Sequence, residues 1–310
     1  MSQSIPVCEK TALRNPDLLG SLAVLLATAF WGTSGVFITL ILATQEVSVL
    51  ALAFWRALMT FLVLLVGLGL LQPTWLQVKR GDLVWFGMLG GSISVMQLLW
   101  SVAVLLNGPA VATVQQAAMP AIVAVAAWLI WREPLTGRKS LAILLTFVGT
   151  AFVSGLNVLG RADLSLSGLL AGLGLATFYA GWNIVIKKVR RGYNPLTTLT
   201  YQFGFGALML LPFQFFTPQP QSLPASVLLH FVGLVGIATV GGFFIYTFAV
   251  GRLQASVATI LAMAEIPIVA VYAYVLLGER MTIDQILGSV LVAAGVLMLS
   301  WRRKKRVPSQ

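Results

Sequence analysis

Ten apolar runs, separated by short polar links, occupy most of this chain: residues 18–43, 47–70, 83–106, 110–131, 140–156, 166–187, 195–216, 224–250, 255–277 and 283–301. A helix needs about 20 apolar residues to cross the hydrocarbon core of a bilayer. Barrel strands would instead alternate polar and apolar residues over about ten positions, a pattern these runs lack. The pattern therefore predicts an all-α polytopic membrane protein with ten transmembrane helices. Run five is short, and a tilt or a locally thinned bilayer has to accommodate it.

The chain also repeats itself. Displaced by 146 residues, Ser101–Ser154 falls on Thr247–Ser300 with 17 identities in 54 positions. Among them are Val111-Ala112-Thr113 on Val257-Ala258-Thr259, Glu133 on Glu279, Thr136 on Thr282 and Gly149 on Gly295. Ten spans divide into five and five, and an odd number of spans per copy turns the second copy upside down. The expected organisation is a segment 1–17, a first five-helix repeat over 18–156, an inverted second repeat over 166–301 and a basic tail at 302–310. Inverted repeats are a frequent plan of secondary transporters, with substrate sites near the midplane between the copies.

Composition agrees: 58% of the residues are hydrophobic and 9% charged, against about 25% charged in soluble domains. The net charge of +11 does not indicate nucleic acid, because the basic residues fall in short links and one tail. With the N-terminus inside, 17 of the 20 lysines and arginines lie on the cytoplasmic side, two (Arg161 and Arg280) lie outside, and Arg56 is within a span. That asymmetry predicts an inner (plasma) membrane protein with both termini cytoplasmic. Residues 1–17 are polar and resemble no cleavable leader. One cysteine (Cys8) and one histidine (His230) leave no disulfide framework and no Cys/His metal cluster, so neither metal nor cofactor is expected.

Candidate chemistry sits in the few polar residues within the runs. Glu265 is the one acidic residue deep in an apolar run; such a carboxylate costs about 2.5–3.5 kcal/mol on insertion scales and faces a cavity or a partner. It could receive a cationic substrate group, carry a proton, or serve as a structural ion pair. Arg56 lies nine residues beyond Val47, ~13 Å along a helix, and could attract a substrate carboxylate or neutralise Glu265. Gln97, Gln115, Gln116, Asn183 and Gln202 are amides that must find partners in lipid. They read as glue between helices or, for Gln97, Asn183 and Gln202, as substrate contacts. His230 could couple protons or be structural. Matched aromatics (Trp31 with the Tyr179 segment, Trp55 with Tyr201, Trp100 with Tyr246) could face a shared cavity or lipid. Pro120 and Pro267 are expected to remove helical hydrogen bonds and act as hinges or static kinks. Gly87–Gly91 and Gly168–Gly172 have the spacing of close helix contacts.

Two segments, MPAIVAVAAWLIWREPLTGRKSLAILLTFVGT (119–150) and EIPIVAVYAYVLLGERMTIDQILGSVLVAAGV (265–296), with Phe30-Trp31-Gly32 and Arg56, resemble the EamA-type drug/metabolite transporters. The resemblance covers residues 18–301. It implies a carrier of small metabolites working by alternating access, with export of amino acids or related amphiphiles preferred. A proton-coupled exporter of drugs or aromatic cations is the alternative. In the family, Glu and Pro are commonly adjacent in helix nine; here Ile266 separates Glu265 from Pro267. No Walker-type phosphate loop is present, so no nucleotide is expected to drive transport. An intramembrane enzyme lacks a convergent nucleophile, acid or metal set, and a membrane scaffold needs none. The expected partners are a small-molecule substrate and the lipid bilayer, with the chain a monomer or homodimer. The expected substrate-binding residues are Trp31, Arg56, Gln97, Trp100, Tyr179, Asn183, Gln202, Tyr246 and Glu265.

Overall fold

A computed structural model describes residues 18–43, 47–155, 165–218, 224–277 and 281–300. The segment 1–17, the link around Arg161, Glu279 and the tail 302–310 lie outside them. All regular structure among the described residues is helical: α1 Leu18–Leu42, α2 Val49–Leu71, α3 Leu83–Gln116, α4 Met119–Trp131, α5 Gly137–Val153, α6 Leu166–Val189, α7 Pro195–Gln214, α8 Ala225–Gly233, α9 Gly242–Arg252, α10 Ala255–Ala262, α11 Glu265–Leu277 and α12 Ile283–Ser300, with two short 3-10 turns between α2 and α3. A π-helical stretch, Leu234–Gly241, joins α8 to α9. Eight spans are long and apolar enough to cross a membrane, and α12 holds a shorter apolar stretch, Ile283–Leu299. Helix starts follow local chemistry. Ser48, Thr136, Ser165 and Asn194 each accept the backbone N–H three residues on, satisfying a donor that the first turn leaves free.

The helices pair across the two halves. α3 packs on α6 as α1 packs on α8, the π stretch and α9; α2 packs on α7, and α5 on α12. The last pair shows the reciprocity residue by residue. A Cβ on Gly149 would lie 2.7 Å from the Gly288 carbonyl oxygen, and one on Gly295 would lie 3.0 Å from that of Ala142. Displacement by 146 carries Gly149 onto Gly295 and Ala142 onto Gly288. The two contacts are therefore exchanged by the repeat, as in a two-fold interface. Between helices in lipid such close backbone approach replaces the hydrophobic drive available in water. Of the glycine pairs picked out by spacing, Gly168–Gly172 is a packing site: Gln115 lies over it, donating Nε2 to the Gly168 carbonyl at 3.3 Å. Gly87–Gly91 is not. On α3 the close approach is at Gly90, where a Cβ would lie 2.6 Å from the Gln202 carbonyl oxygen, while Gly91 faces open space.

Two spans, Val111–Trp131 and Ala255–Leu276, are broken near their middles. In the first half α3 ends at Gln116, the chain turns at Ala117–Ala118 and restarts as α4, while Arg80–Trp100 and Val111–Trp131 are separate spans on either side of the expected boundary. In the second half it turns at Met263–Ala264 and restarts as α11. The turn bonds repeat with the sequence: Ala117 N to Val114 O and Met263 N to Ile260 O, Ala118 N to Gln115 O and Ala264 N to Leu261 O, Ile122 N to Ala118 O and Ile268 N to Ala264 O, all between 3.1 and 3.3 Å. Pro120 and Pro267 consequently fall in the first turn of a new helix. There no intrahelical N–H bond is required, so neither proline deletes one. This also explains why a one-residue offset between them is harmless: both positions belong to that turn.

Gly288→Ala would place a Cβ 2.6 Å from Val153 N and 2.5 Å from the Gly149 carbonyl. It should destabilise the fold by ~1–3 kcal/mol, as overpacking does. Gly67→Ala, with nothing within 4 Å, should be neutral or slightly stabilising. Thermal melting of both variants in detergent checks this.

Candidate functional site

At the second break the chain presents a carboxylate. Glu265 is the first residue of α11, where the free N–H groups and the helix dipole favour a negative charge. Arg56 enters from α2. Its Nε donates to Thr239 Oγ1 at 2.8 Å, and the Thr239 hydroxyl donates in turn to the Leu234 carbonyl, also at 2.8 Å. Thr239 lies in the π stretch, and its bond reaches five residues back. Arg56 and Glu265 feel each other's charge but form no direct ion pair, and Tyr179 and Tyr246 lie within the field of Glu265. Arg56, Tyr179 and Glu265 are half-buried, whereas Tyr246 is enclosed.

Beside these groups is a cluster of rings. Trp31 of α1 packs on Tyr246 of α9 with centroids 4.7 Å apart and meets Phe243 edge-on at 5.1 Å. Trp182 of α6 stacks on Tyr246 at 5.6 Å, with Tyr179 5.9 Å away. The approach of Trp31 depends on Gly242, since a Cβ there would lie 2.6 Å from the indole. Polar atoms thread the cluster. Tyr246 donates its hydroxyl to Asn183 Oδ1. Asn183 Nδ2 donates to the Tyr179 carbonyl at 3.0 Å and lies 3.7 Å from Met119 Sδ. Trp182 Nε1 donates to Gln202 Oε1 at 3.1 Å. Trp31 Nε1 and Gln202 Nε2 are buried donors without an acceptor, each worth about 1–3 kcal/mol of desolvation.

Displacement by 146 carries Arg56 onto Gln202 and Met119 onto Glu265. The corner formed by Arg56 and Glu265 is ionic. Its counterpart, where Gln202 holds Trp182 and Met119 meets Asn183, is neutral and aromatic. Seven sequence candidates thus share one neighbourhood: Trp31, Arg56, Tyr179, Asn183, Gln202, Tyr246 and Glu265. Trp100 stands apart; it is 37% exposed, and no ring contact joins it to the cluster among the described residues. Gln97 is half-buried one turn before it on α3. His230 lies in the last turn of α8, nine residues before Thr239, and no ring contact joins it to the cluster among the described residues.

Four members of the neighbourhood are outside the sequence candidates: Met119, Trp182, Thr239 and Phe243. Met119 was findable as the repeat counterpart of Glu265. A lone threonine in an apolar run gives no comparable signal, because only the π stretch turns its hydroxyl towards Arg56.

The chain resembles two bacterial proteins along nearly its whole length. One is the uncharacterized inner membrane transporter YicL of Salmonella typhimurium, 27% identical over 296 residues, covering 93% of this chain and 97% of that protein. The other is the uncharacterized transporter YwfM of Bacillus subtilis, 26% identical over 298 residues, covering 92% and 95%. A crystal structure superposes with a TM-score of 0.74 at 18% identity, covering 90% of this chain and 95% of its own, which supports the fold alone. The EamA-like transporter family matches residues 18–155 and again 166–301. The chain belongs to the EamA-like transporter family, with both family segments present.

Proposed function

We propose that this protein is a secondary transporter that carries amino acids or related amphiphilic metabolites out of the cell by alternating access. In this reading its ten spans form two inverted five-helix halves in the inner membrane, both termini are cytoplasmic, and the substrate binds between the halves. One observation carries the reading: a basic and an acidic side chain, held on α2 and α11, lie near enough to interact without a direct ion pair, beside a cluster of rings. Charges in mid-span face a cavity or a partner in preference to lipid. Arg56, with Nε committed to Thr239, turns its remaining donors to a substrate carboxylate. Glu265 takes the ammonium group or a proton. The rings receive the apolar body, and the orphan donors of Trp31 and Gln202 suit a ligand rich in acceptors. The breaks preceding Pro120 and Pro267 provide the hinges.

The second reading, a proton-coupled exporter of flat cations, draws on the same rings through cation–π contact and on Glu265, with Arg56 then a structural counter-ion. His230 has no ring contact with this cluster among the described residues and takes the smaller share of any proton traffic.

Uptake into proteoliposomes of labelled zwitterionic amino acids, aromatic cations and neutral metabolites, with and without a pH gradient, separates these readings. Zwitterion flux above empty liposomes is expected; flux of cations alone would select the second reading. Glu265→Gln should abolish the response to the gradient while the protein stays folded. Thr239→Val should raise the KM for zwitterions about tenfold, the worth of one hydrogen bond to a charged group, with Thr239→Ser restoring it. Arg56→Ala should weaken zwitterions more than cations; equal losses in both classes would make Arg56 structural.

A further inference from the structure

Where α2, α4 and α6 end and α3 begins, a cavity of about 330 Å³ opens between the α2–α3 link and the α6–α7 link. Gln77, Val78, Lys79 and Asp82 line it from one half, Gly192 and Tyr193 from the other. Its rim is stitched together by hydroxyl groups of α7 and the turn before it. Tyr193 donates to Asp82 Oδ2 at 2.6 Å and accepts the Lys79 backbone N–H at 3.2 Å. Thr197 Oγ1 donates to the Trp75 carbonyl and the Tyr201 hydroxyl to the Leu76 carbonyl, both at 2.6 Å. Phe86 packs edge-on against the Tyr193 ring at 5.1 Å. These contacts fix the link in one shape, so the cavity exists before anything enters it. Its size falls at the lower end of small-molecule sites, about 300–1,000 Å³.

The charges around the cavity are unevenly committed. Lys187, Lys188, Arg190 and Arg191 close α6 and its turn. Lys187 donates to the carbonyls of Val250, at 2.8 Å, and Leu253, and Arg190 Nε donates to the Thr247 carbonyl at 2.9 Å. Lys188 and Arg191 each lie on a tryptophan instead. Lys188 Nζ is 3.3 Å from the centre of the Trp85 ring, and Arg191 Cζ is 5.5 Å from that of Trp131. A ring face steers a cation without neutralising it, and among the described residues neither cation has a carboxylate within ion-pair distance. Trp85 follows Asp82 by one turn at the start of α3, and Arg191 directly precedes Gly192, so both cations border the cavity that Lys79 lines. The carboxylates of the described links on this face are already engaged, Glu133 by Ser256 and Lys139 and Asp82 by Tyr193.

Beyond the cations the wall turns apolar. Leu70 and Leu71 at the end of α2 and Val84 and Met88 at the start of α3 are exposed. Tryptophans at helix ends mark the level where hydrocarbon gives way to headgroups, and Trp75, Trp85 and Trp131 set the cavity at that level. We infer that the cavity binds the headgroup of an anionic phospholipid, with Lys79, Lys188 and Arg191 on its phosphodiester and the acyl chains along the apolar wall. Arginine meets a phosphate with a planar fork of donors and lysine as a point charge, and basic pockets between spans suit such headgroups. The bound lipid bridges the halves, since Lys79 belongs to the first and Lys188 and Arg191 to the second. The inference does not depend on the transported substrate or on Arg56 and Glu265.

Native mass spectrometry of the full chain in detergent, titrated with phosphatidylglycerol, phosphatidylcholine or soluble glycerol phosphate, tests this. One phosphatidylglycerol should be held about tenfold more tightly than phosphatidylcholine. Lys188→Gln and Arg191→Gln, both on exposed side chains, should each weaken it about tenfold, as expected for one hydrogen bond to a charged group. Arg138→Gln, on the same face at the start of α5, should leave it unchanged. Asp82→Asn, which keeps an acceptor for Tyr193, should tighten it; a loss there would put a headgroup ammonium on Asp82 and overturn the anionic assignment. Equal affinity for the two lipids, or no loss in Lys188→Gln and Arg191→Gln, would make these cations topology anchors only and overturn the inference. Glycerol phosphate bound as tightly as the lipid would assign the cavity to a soluble anion and overturn it as well.

Discussion

A backbone interrupted inside a bilayer must find partners for its freed amides and carbonyls within the protein, because lipid offers none. That constraint shapes both broken spans. At Ala117–Ala118 and Met263–Ala264 the chain turns through bonds to the residues three back instead of four, keeping donors occupied. A proline follows within the first turn of each new helix and supplies no N–H to satisfy. The second restart adds a carboxylate, Glu265, at a helix terminus whose free N–H groups favour it. A charge that would be expensive in mid-helix is tolerable there, and the place that tolerates it is also where the two halves meet.

The halves are related by sequence and by packing, yet they are not equivalent. Arg56 and Glu265 have neutral repeat partners, Gln202 and Met119, which bond to Trp182 and Asn183 instead. The result is a neighbourhood ionic at one corner and aromatic at the other, the distribution an amphiphile carries. The π stretch adds a second difference. Leu234–Gly241 is π-helical while the aligned stretch, residues 88–95, is part of α-helical α3, and the wider turn places Thr239 between Arg56 and the Leu234 carbonyl. Such wide turns recur at functional sites.

Small residues permit this arrangement. Gly149, Gly288 and Gly295 let α5 and α12 touch backbone to backbone, and Gly242 admits the Trp31 indole beside Tyr246. Without a hydrophobic drive between helices in lipid, dispersion across such flat faces and a few interhelical hydrogen bonds supply the adhesion. Gln115 over Gly168 and Gly172 is one of those bonds.

The sequence by itself determined the helical, membrane-spanning class, the repeat and its offset, and the family. Each rests on long-range statistics of apolar runs and on identities that survive without coordinates. It also marked Arg56 and Glu265, because a charge in an apolar run is conspicuous wherever it points. Only the tertiary structure decided that these two share a neighbourhood, that Trp100 stands outside it, and that Gly90 rather than Gly87 or Gly91 makes the close contact. Direction around a helix axis decides such matters, and a run that is apolar on every side carries no periodic signal of it. The prolines illustrate the same limit: from sequence they interrupt a helix, whereas the bonds around Ala118 and Ala264 show that each begins one. Thr239 was legible only in three dimensions, since it takes its meaning from the Arg56 side chain on a helix remote in sequence.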